Sequence, residues 1–294
     1  MENTRKFPLI LSSFWIKIIA LVTMTIDHIG FMLPEGGLYT AFRIIGRIAF
    51  PLFAFMIAEG AIHTKSFSKY ALRLGIMASA ISLGLIINEI LLIDPSLREQ
   101  GNIFIDLLLG AFAIYLLRQD KWYIKVLAIL PILFSVYSFI GSSFEACGCH
   151  GKILWCPFFL RTQYGWFGVL LIVLYYLAHY CTKLFVSYLS SLSGMPLESY
   201  KDSNFERIAL NIFSVIMLVI TSTLLYVVGT LMPSNYVGWM QDIQFYAIIA
   251  GAFILLYNGR RGYNKKWFQY GSYLYYPVHL LVIYLVYLLT LISF

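Results

Sequence analysis

Nine long apolar segments constrain this chain more than any other feature of its sequence. Each has close to the roughly 20 residues that an α-helix needs to cross the apolar core of a bilayer. They cover residues 13–33, 39–62, 71–92, 102–117, 124–141, 165–187, 207–230, 242–258 and 270–293. We therefore predict an all-α, polytopic integral membrane helical bundle of about nine transmembrane helices, a multi-pass protein of the plasma (inner) membrane that has the lipid bilayer as its first partner.

The composition agrees with a membrane protein and excludes several other classes. Of 294 residues, 60% are apolar or aromatic and only 12% are charged, whereas a soluble domain has about 25% charged residues. So little charge cannot cover the surface of a water-soluble chain of this length, which excludes an ordinary globular enzyme. The net charge of +7 does not indicate nucleic acid, because the basic residues form short groups between the apolar segments and no basic face.

The distribution of Lys and Arg predicts the orientation of the bundle, because cytoplasmic loops are enriched in these residues. With a cytoplasmic N-terminus, 16 of the 21 basic residues lie at cytoplasmic ends, three lie outside, and Arg43 and Arg47 lie in or beside the second span. We treat residues 1–294 as a single transmembrane domain. The alternative is a six-span part (1–187) and a three-span part (207–294) joined by the polar stretch 188–206.

The first span contains two ionisable side chains that are costly inside a bilayer. Such a group costs at least about 2.5 kcal/mol on insertion scales, so each one is a functional hypothesis. Asp27 and His28 are adjacent, and a carboxylate beside a histidine can orient the imidazole as a general base. The alternative is that His28 only bonds to a neighbouring helix and helps packing.

The second span contains two arginines on one helical face. Arg43 and Arg47 lie four residues apart. They could neutralise Asp27 and Glu59 inside the bundle, or they could anchor an anionic substrate or a developing oxyanion. Pro51, one helical turn after Arg47, predicts a kink in this span.

Two basic groups lie at predicted cytoplasmic ends of the spans. Lys65, Lys69 and Arg73 follow the second span, and Arg260 and Arg261 precede the last one. They either reflect only the bias of cytoplasmic loops towards positive charge, or they bind the phosphates of a nucleotide-bearing donor.

The last span contains a histidine among tyrosines. His279 lies two residues after Pro277, and Tyr276 is one of several tyrosines near it that could donate a hydrogen bond to a buried anion or carbonyl. An aromatic belt at the membrane interface explains these tyrosines equally well.

A predicted external loop contains three of the four cysteines. Cys147, Cys149 and Cys156 lie there with His150. We rank three hypotheses for these cysteines. A disulfide that includes Cys156 comes first because the exterior is oxidising. A zinc site comes second because the spacing fits structural zinc sites poorly, and a catalytic thiol comes third. We expect no bound metal.

Five segments resemble the TraX family of polytopic membrane proteins. They are WIKIIALVTMTIDHIGFML, RIIGRIAFPLFAFMIAEGAIHT, YALRL, YGWFGVLLIVLYYLA and YLYYPVHLLVIYL. That family is named for a protein that N-acetylates the pilin subunit of conjugative pili, and it is similar to the wider class of transmembrane acyltransferases. The resemblance implies a cytoplasmic acyl-CoA donor, an acceptor at the outer face and a histidine in an early span.

The resemblance also implies which residues form the site. Its IDHIG motif makes His28 the catalytic candidate with Asp27 beside it, RIIGRIAFPLFAF makes Arg43 and Arg47 site residues, and YYPVH adds His279. We therefore expect an acyltransferase that uses acetyl-CoA as its donor substrate and an amine or hydroxyl of an extracytoplasmic protein or surface glycan as acceptor. The alternatives are a secondary transporter or flippase of an anionic substrate and a noncatalytic pilus-assembly factor.

Overall fold

The computed structural model of this chain describes residues 8–91, 101–146, 156–202, 204–231 and 240–292. The α-helices in this part of the chain are α1 (Ser13–Phe31), α2 (Gly37–Gly46), α3 (Ala49–His63), α4 (Phe67–Leu91), α5 (Ile103–Leu117), α6 (Trp122–Val126), α7 (Ile129–Ala146), α8 (Gly165–Ser193), α9 (Leu197–Asp202), α10 (Phe205–Leu231), α11 (Met240–Gln244), α12 (Ala250–Leu255) and α13 (Lys266–Ile292). Short 3-10 helices lie at Phe158–Leu160 and Phe245–Ile249. No β-strand is found in the described ranges, so the predicted all-α class is confirmed.

Among the residues that the structure describes, six helical segments are long and apolar enough to cross a membrane. They are Ser13–Phe31, Gly37–His63, Phe67–Leu91, Trp122–Gly141, Phe158–Ser193 and Phe205–Leu231. Ile103–Leu117 and Asp242–Leu255 are shorter apolar segments, and α13 has 27 residues. The chain is thus a multi-pass membrane protein, while the number of nine spans and the cytoplasmic N-terminus stay predictions.

The second predicted span is interrupted in its middle. α2 ends at Gly46 and α3 begins at Ala49, so Arg47 and Ile48 lie at the break. Pro51 lies in the first turn of α3, so it has no backbone N–H to donate to the Arg47 carbonyl, and in an unbroken helix its ring would crowd that carbonyl. The predicted kink is confirmed as a break one turn before the proline, and it falls on a predicted site residue.

The described residues belong to two compact units. The first takes its residues from Met1–Phe53, Leu177–Val219 and Tyr246–Phe294, and the second from Ala54–Tyr176 and Ile220–Phe245. Each unit therefore combines separate stretches of the chain. The single domain and its subdivision at 188–206 stay predictions.

In the first unit, α1 and α2 form a tight antiparallel hairpin. Gly30 faces Phe42, and Gly46 faces Asp27. A Cβ added at Gly46 would lie only 2.2 Å from the Cβ of Asp27, so a side chain at this position would force the two helices apart. The hairpin thereby brings the first two predicted spans into contact at their ionisable residues.

Also in the first unit, α1 and α13 lie side by side and run in the same direction. The rings of Phe14 and Phe268 are 4.8 Å apart near the two helix starts, and the hydroxyls of Thr25 and Tyr275 are 2.7 Å apart further along. Two parallel spanning helices need an odd number of crossings counted from the first through the second. Nine spans, as predicted, would meet this requirement.

The start of α1 is anchored on the loop that follows α12. The backbone amides of Ser13 and Phe14 donate to the carbonyls of Arg260 and Arg261 at 2.8 and 3.2 Å. These bonds satisfy amides that have no partner within the helix at its N-terminus. They also place the second predicted phosphate-binding group at the N-terminal end of α1.

In the second unit, polar side chains tie neighbouring segments to the start of α5. The side-chain amide of Asn102 donates to the carbonyl of Ala78 on α4 at 2.7 Å. The buried Asp106 carboxylate accepts from the backbone amides of Gln163 and Tyr164 at 2.7 and 3.2 Å. The second unit also contains a buried apolar cluster of Ala113, Leu116, Ala128 and Val173.

Candidate functional site

A buried ionic cluster at the contact between α1 and α2 contains three of the predicted site residues. Nη1 of Arg43 donates to Oδ1 of Asp27 at 2.8 Å, and Nη2 of Arg47 donates to both carboxylate oxygens at 2.7 and 2.6 Å. Nε of Arg47 also donates to the backbone carbonyl of Arg43 at 3.2 Å. All three residues are buried, at 9% exposure or less. The arginines thus pair with Asp27, as their structural interpretation predicts.

A pair of histidines lies next to this cluster. Nδ1 of His28 is 2.8 Å from Nε2 of His279, and the two ring centroids are 4.9 Å apart. Nδ1 of His279 is in turn 2.8 Å from the backbone carbonyl of Tyr275. His279 is buried and His28 is half-buried. The fold therefore joins the two predicted site histidines directly, although 251 positions separate them in the sequence.

Asp27 and His28 have different partners because neighbouring side chains on a helix point about 100° apart. Asp27 binds Arg43 of α2 and Arg47 at the break after it, whereas His28 meets His279 of α13. Within the described part of the chain, the ring partner of His28 is a second histidine and not the adjacent carboxylate. The predicted assistance of His28 by Asp27 stays a prediction.

Two tyrosines of α13 surround the histidine pair. The ring of Tyr276 makes T-shaped contacts with both imidazoles, with centroid distances of 6.2 Å to His28 and 5.6 Å to His279. The ring of Tyr275 stacks on His279 at 5.0 Å and 7°. Its hydroxyl is 2.7 Å from Oγ1 of Thr25, which lies one turn before His28.

Thr25 and Tyr275 have contacts at this site that the sequence interpretation did not assign to them. The sequence holds a signal for both: Thr25 is three residues before His28, and Tyr275 is four residues before His279. These spacings place each residue on the same helical face as its histidine.

The predicted phosphate-binding residues divide between the two units. Lys65 and Lys69 are exposed and Arg73 is half-buried, with its guanidinium 5.8 Å from the ring centre of Tyr70. These residues belong to the second unit.

Arg260 and Arg261 belong to the first unit, which also contains the histidine pair. Both are exposed and lie at the start of α1. The 15 residues from Ser13 to His28 correspond to about 22 Å of helix. Any donor phosphate held by these arginines would therefore be far from the histidines.

The cysteine hypotheses concern mostly residues outside the described ranges. Cys147, Cys149 and His150 lie there, so the predicted disulfide and zinc site stay predictions. Cys156 is buried. Burial raises the pKa of its thiol, although the Arg161 guanidinium acts in the opposite direction, so the thiolate that a nucleophile needs is disfavoured. Among the described residues, no three His, Cys, Asp or Glu side chains are grouped to hold a metal.

The family of this chain follows from a comparison with protein-family models. The model for the TraX protein matches residues 12–217, which is more than half of the chain. The chain belongs to the TraX family. The TraX match contains Asp27, His28, Arg43 and Arg47, and it ends before His279.

A curated relative is similar to part of this TraX-family chain. It is the probable fimbrial assembly protein FimC, serogroup H1, of Dichelobacter nodosus, with 35% identity over 65 residues. The aligned region covers 21% of this chain and 27% of the relative, so the chain spans about a quarter of the length of that protein. No solved structure matches the chain.

Proposed function

We propose that this TraX-family chain is a membrane-embedded acyltransferase with acetyl-CoA as its cytoplasmic donor. It would transfer the acetyl group to an amine or hydroxyl on the extracytoplasmic face, on the N-terminus of a pilin-like protein or on a surface glycan. The observation that carries this proposal is the imidazole pair of His28 and His279 inside an apolar helical unit. The neutral imidazole of histidine is the usual general base at physiological pH.

The proposed reaction moves one acyl group and one proton. His28 takes the proton of the acceptor amine or hydroxyl while the nitrogen or oxygen forms a bond to the thioester carbonyl carbon. The carbon–sulfur bond then breaks, and the proton held by His28 passes to the departing CoA sulfur. The products are an acetylated acceptor and free CoA thiol, and the histidine returns to its neutral form.

The charges near His28 suit the negative charge that develops on the thioester oxygen. Arg43, Arg47 or the hydroxyl of Tyr276 would stabilise this oxyanion, since fixed cations and donors are most effective in a site that excludes water. Both arginines already donate to Asp27, which holds them close to the helix that carries His28. Asp27 would keep the guanidinium groups in place.

In this proposal the donor enters from the α1 start, where Arg260 and Arg261 lie. Arg260 and Arg261 would hold the CoA phosphates, with Lys65, Lys69 and Arg73 as the other candidate group. The pantetheine arm would then extend along about 22 Å of α1 towards His28. A double variant with Arg260→Ala and Arg261→Ala should raise the KM for acetyl-CoA and leave kcat nearly unchanged.

The decisive experiment measures acetyl-CoA binding and slow thioester hydrolysis by purified protein in detergent. We compare the wild type with His28→Gln, and with His63→Gln as a matched control because His63 is exposed at the end of α3. We expect saturable binding by all three and a loss of about 10²-fold or more in hydrolysis only for His28→Gln. No binding by folded wild type, or equal hydrolysis by His28→Gln, would contradict the proposal.

A noncatalytic role in pilus assembly is the second candidate. It is favoured by the ionic cluster, whose bonds join α1 and α2 whether or not a reaction occurs, and by the name of the similar fimbrial assembly protein. Under this hypothesis, His28→Gln would retain full function in cells that need the protein for pili. Under the acyltransferase proposal, the same variant would lose the acetylated acceptor.

A further inference from the structure

We propose that His279 is a positioning residue that holds His28 in one tautomer, with its proton on Nδ1 and its lone pair on Nε2. This inference deepens the proposed function and rests on it for the role of His28 as a base. Sequence spacing does not predict this role, because the two histidines lie on helices at opposite ends of the chain. It follows from the direction of two successive hydrogen bonds.

The first bond determines where His279 carries its proton. Nδ1 of His279 is 2.8 Å from the backbone carbonyl oxygen of Tyr275. A carbonyl oxygen can only accept, so Nδ1 of His279 must be the donor. A neutral imidazole has a single N–H, and Nε2 of His279 is therefore an acceptor.

The second bond determines which nitrogen of His28 carries the proton. Nδ1 of His28 is 2.8 Å from Nε2 of His279, and since that nitrogen accepts, His28 must donate from Nδ1. With its only proton on Nδ1, neutral His28 has a lone pair on Nε2. That nitrogen is the one that a general base would use to take a proton from the acceptor.

The ring of His279 is held in place by its neighbours on α13 and α1. Tyr275 stacks on it at 5.0 Å, and the Thr25 hydroxyl is 2.7 Å from that of Tyr275. Because Thr25 donates its single proton to the carbonyl of Leu21 at 2.9 Å, Tyr275 donates to Thr25. This bond links α13 to α1 one turn before His28. It thereby helps to keep the two imidazoles within hydrogen-bond distance of each other.

The consequence for the reaction is a base that is ready in the correct protonation state. A histidine that is held in the wrong tautomer cannot accept the proton, and in serine proteases the corresponding change costs about 10⁴-fold in rate. Without His279, His28 could also populate the tautomer with its proton on Nε2. The hydrolysis rate should then fall, because a smaller fraction of His28 has its lone pair on Nε2 and because the ring is less well oriented.

The test uses ¹⁵N-histidine-labelled protein in detergent micelles, without any donor present. The chain has five histidines, and the His28 signals are assigned by their absence in His28→Gln. We expect a protonated Nδ1 and an unprotonated Nε2 for His28 in the wild type. A wild-type His28 with its proton on Nε2 would overturn the proposal.

Two variants of His279 separate positioning from folding. In His279→Gln, the side-chain oxygen can still accept from Nδ1 of His28, so we expect the same tautomer and a hydrolysis rate within about tenfold of wild type. In His279→Leu, we expect a mixture of tautomers and a rate below that of His279→Gln, because part of the His28 population carries its proton on Nε2. Equal rates and equal ¹⁵N signals in folded protein for both variants would overturn the proposal.

The two readouts also separate this inference from the acyltransferase proposal. The ¹⁵N signals report the tautomer whether or not the protein uses acetyl-CoA. If the tautomer is as expected but no thioester is hydrolysed, the acyltransferase proposal fails and the hydrogen-bond order stands. If hydrolysis depends on His28 but the tautomer is the other one, only the role of His279 fails.

Discussion

At Asp27, the contact between α1 and α2 requires a small residue, Gly46, and the charges of two arginines. Its carboxylate binds Arg43 and Arg47, and its Cβ lies against the backbone of Gly46. The sequence marked Asp27 and both arginines as unusual because ionisable groups are rare in apolar segments. It left open whether the arginines bind Asp27 or a substrate, because this depends on how two helices cross.

Replacing Gly46 with alanine should separate the two helices. The new Cβ would lie about 2.2 Å from the Asp27 carboxylate, so we expect a loss of roughly 1–3 kcal/mol in the free energy of unfolding. Thermal unfolding in detergent measures it. The matched control is Gly84→Ala in α4, where nothing lies within 4 Å of the added Cβ, and this variant should be as stable as wild type or more so.

Replacing Asp27 with asparagine should destabilise the protein more strongly. The change leaves two buried guanidinium groups without their carboxylate, and breaking a buried pair in this way costs about 3–5 kcal/mol. Unfolding of the purified variant is compared with that of Glu35→Gln, an exposed carboxylate in the loop before α2. Equal stability of the two variants would show that the cluster does not hold the hairpin together.

At the scale of the elements, α5 shows how a short helix is joined to its neighbours. The sequence predicted this segment from its apolar residues, but it did not reveal that Asp106 accepts from two backbone amides of the segment before α8. Such bonds join positions 57 and 58 residues apart. No helical periodicity encodes a contact over that separation.

Asp106→Asn tests this junction. The carboxamide replaces one acceptor oxygen with a donor NH₂ that faces a backbone N–H, so we expect a loss of about 1–3 kcal/mol in unfolding free energy. The measurement is again thermal unfolding in detergent. The control is Asp120→Asn in the exposed loop after α5, which should change nothing.

At the scale of the whole molecule, the crossing of α1 can be tested from its two ends. Lys265 follows the loop that holds the start of α1, and Glu35 follows the end of α1. If α1 crosses the membrane with a cytoplasmic N-terminus, the two positions lie on opposite sides. This prediction rests on the enrichment of Lys and Arg in alternate loops, which are assigned to the cytoplasmic side.

Single cysteines at these positions report the two sides. In a background where the four native cysteines are serine, a membrane-impermeant maleimide should label Glu35→Cys in intact cells and should label Lys265→Cys only after the membrane is opened. Both are exposed in the folded chain, so burial does not protect either one. Labelling of both from outside would contradict the predicted topology.

The sequence by itself determined the class of the protein and most of its unusual residues. Apolar length, the placement of Lys and Arg, the proline in the second span and ionisable groups in apolar segments are all local properties of the chain. They led to an all-α membrane protein and to Asp27, His28, Arg43, Arg47 and His279.

Only the tertiary structure decided which of these residues meet. Asp27 binds Arg43 and Arg47, and His28 contacts a histidine of the last helix instead of the carboxylate beside it. The physical reason is that the direction of a side chain follows from its own helix, whereas its partner follows from how distant helices pack. That packing arises from the whole set of contacts in the unit, so no single segment of the sequence determines it.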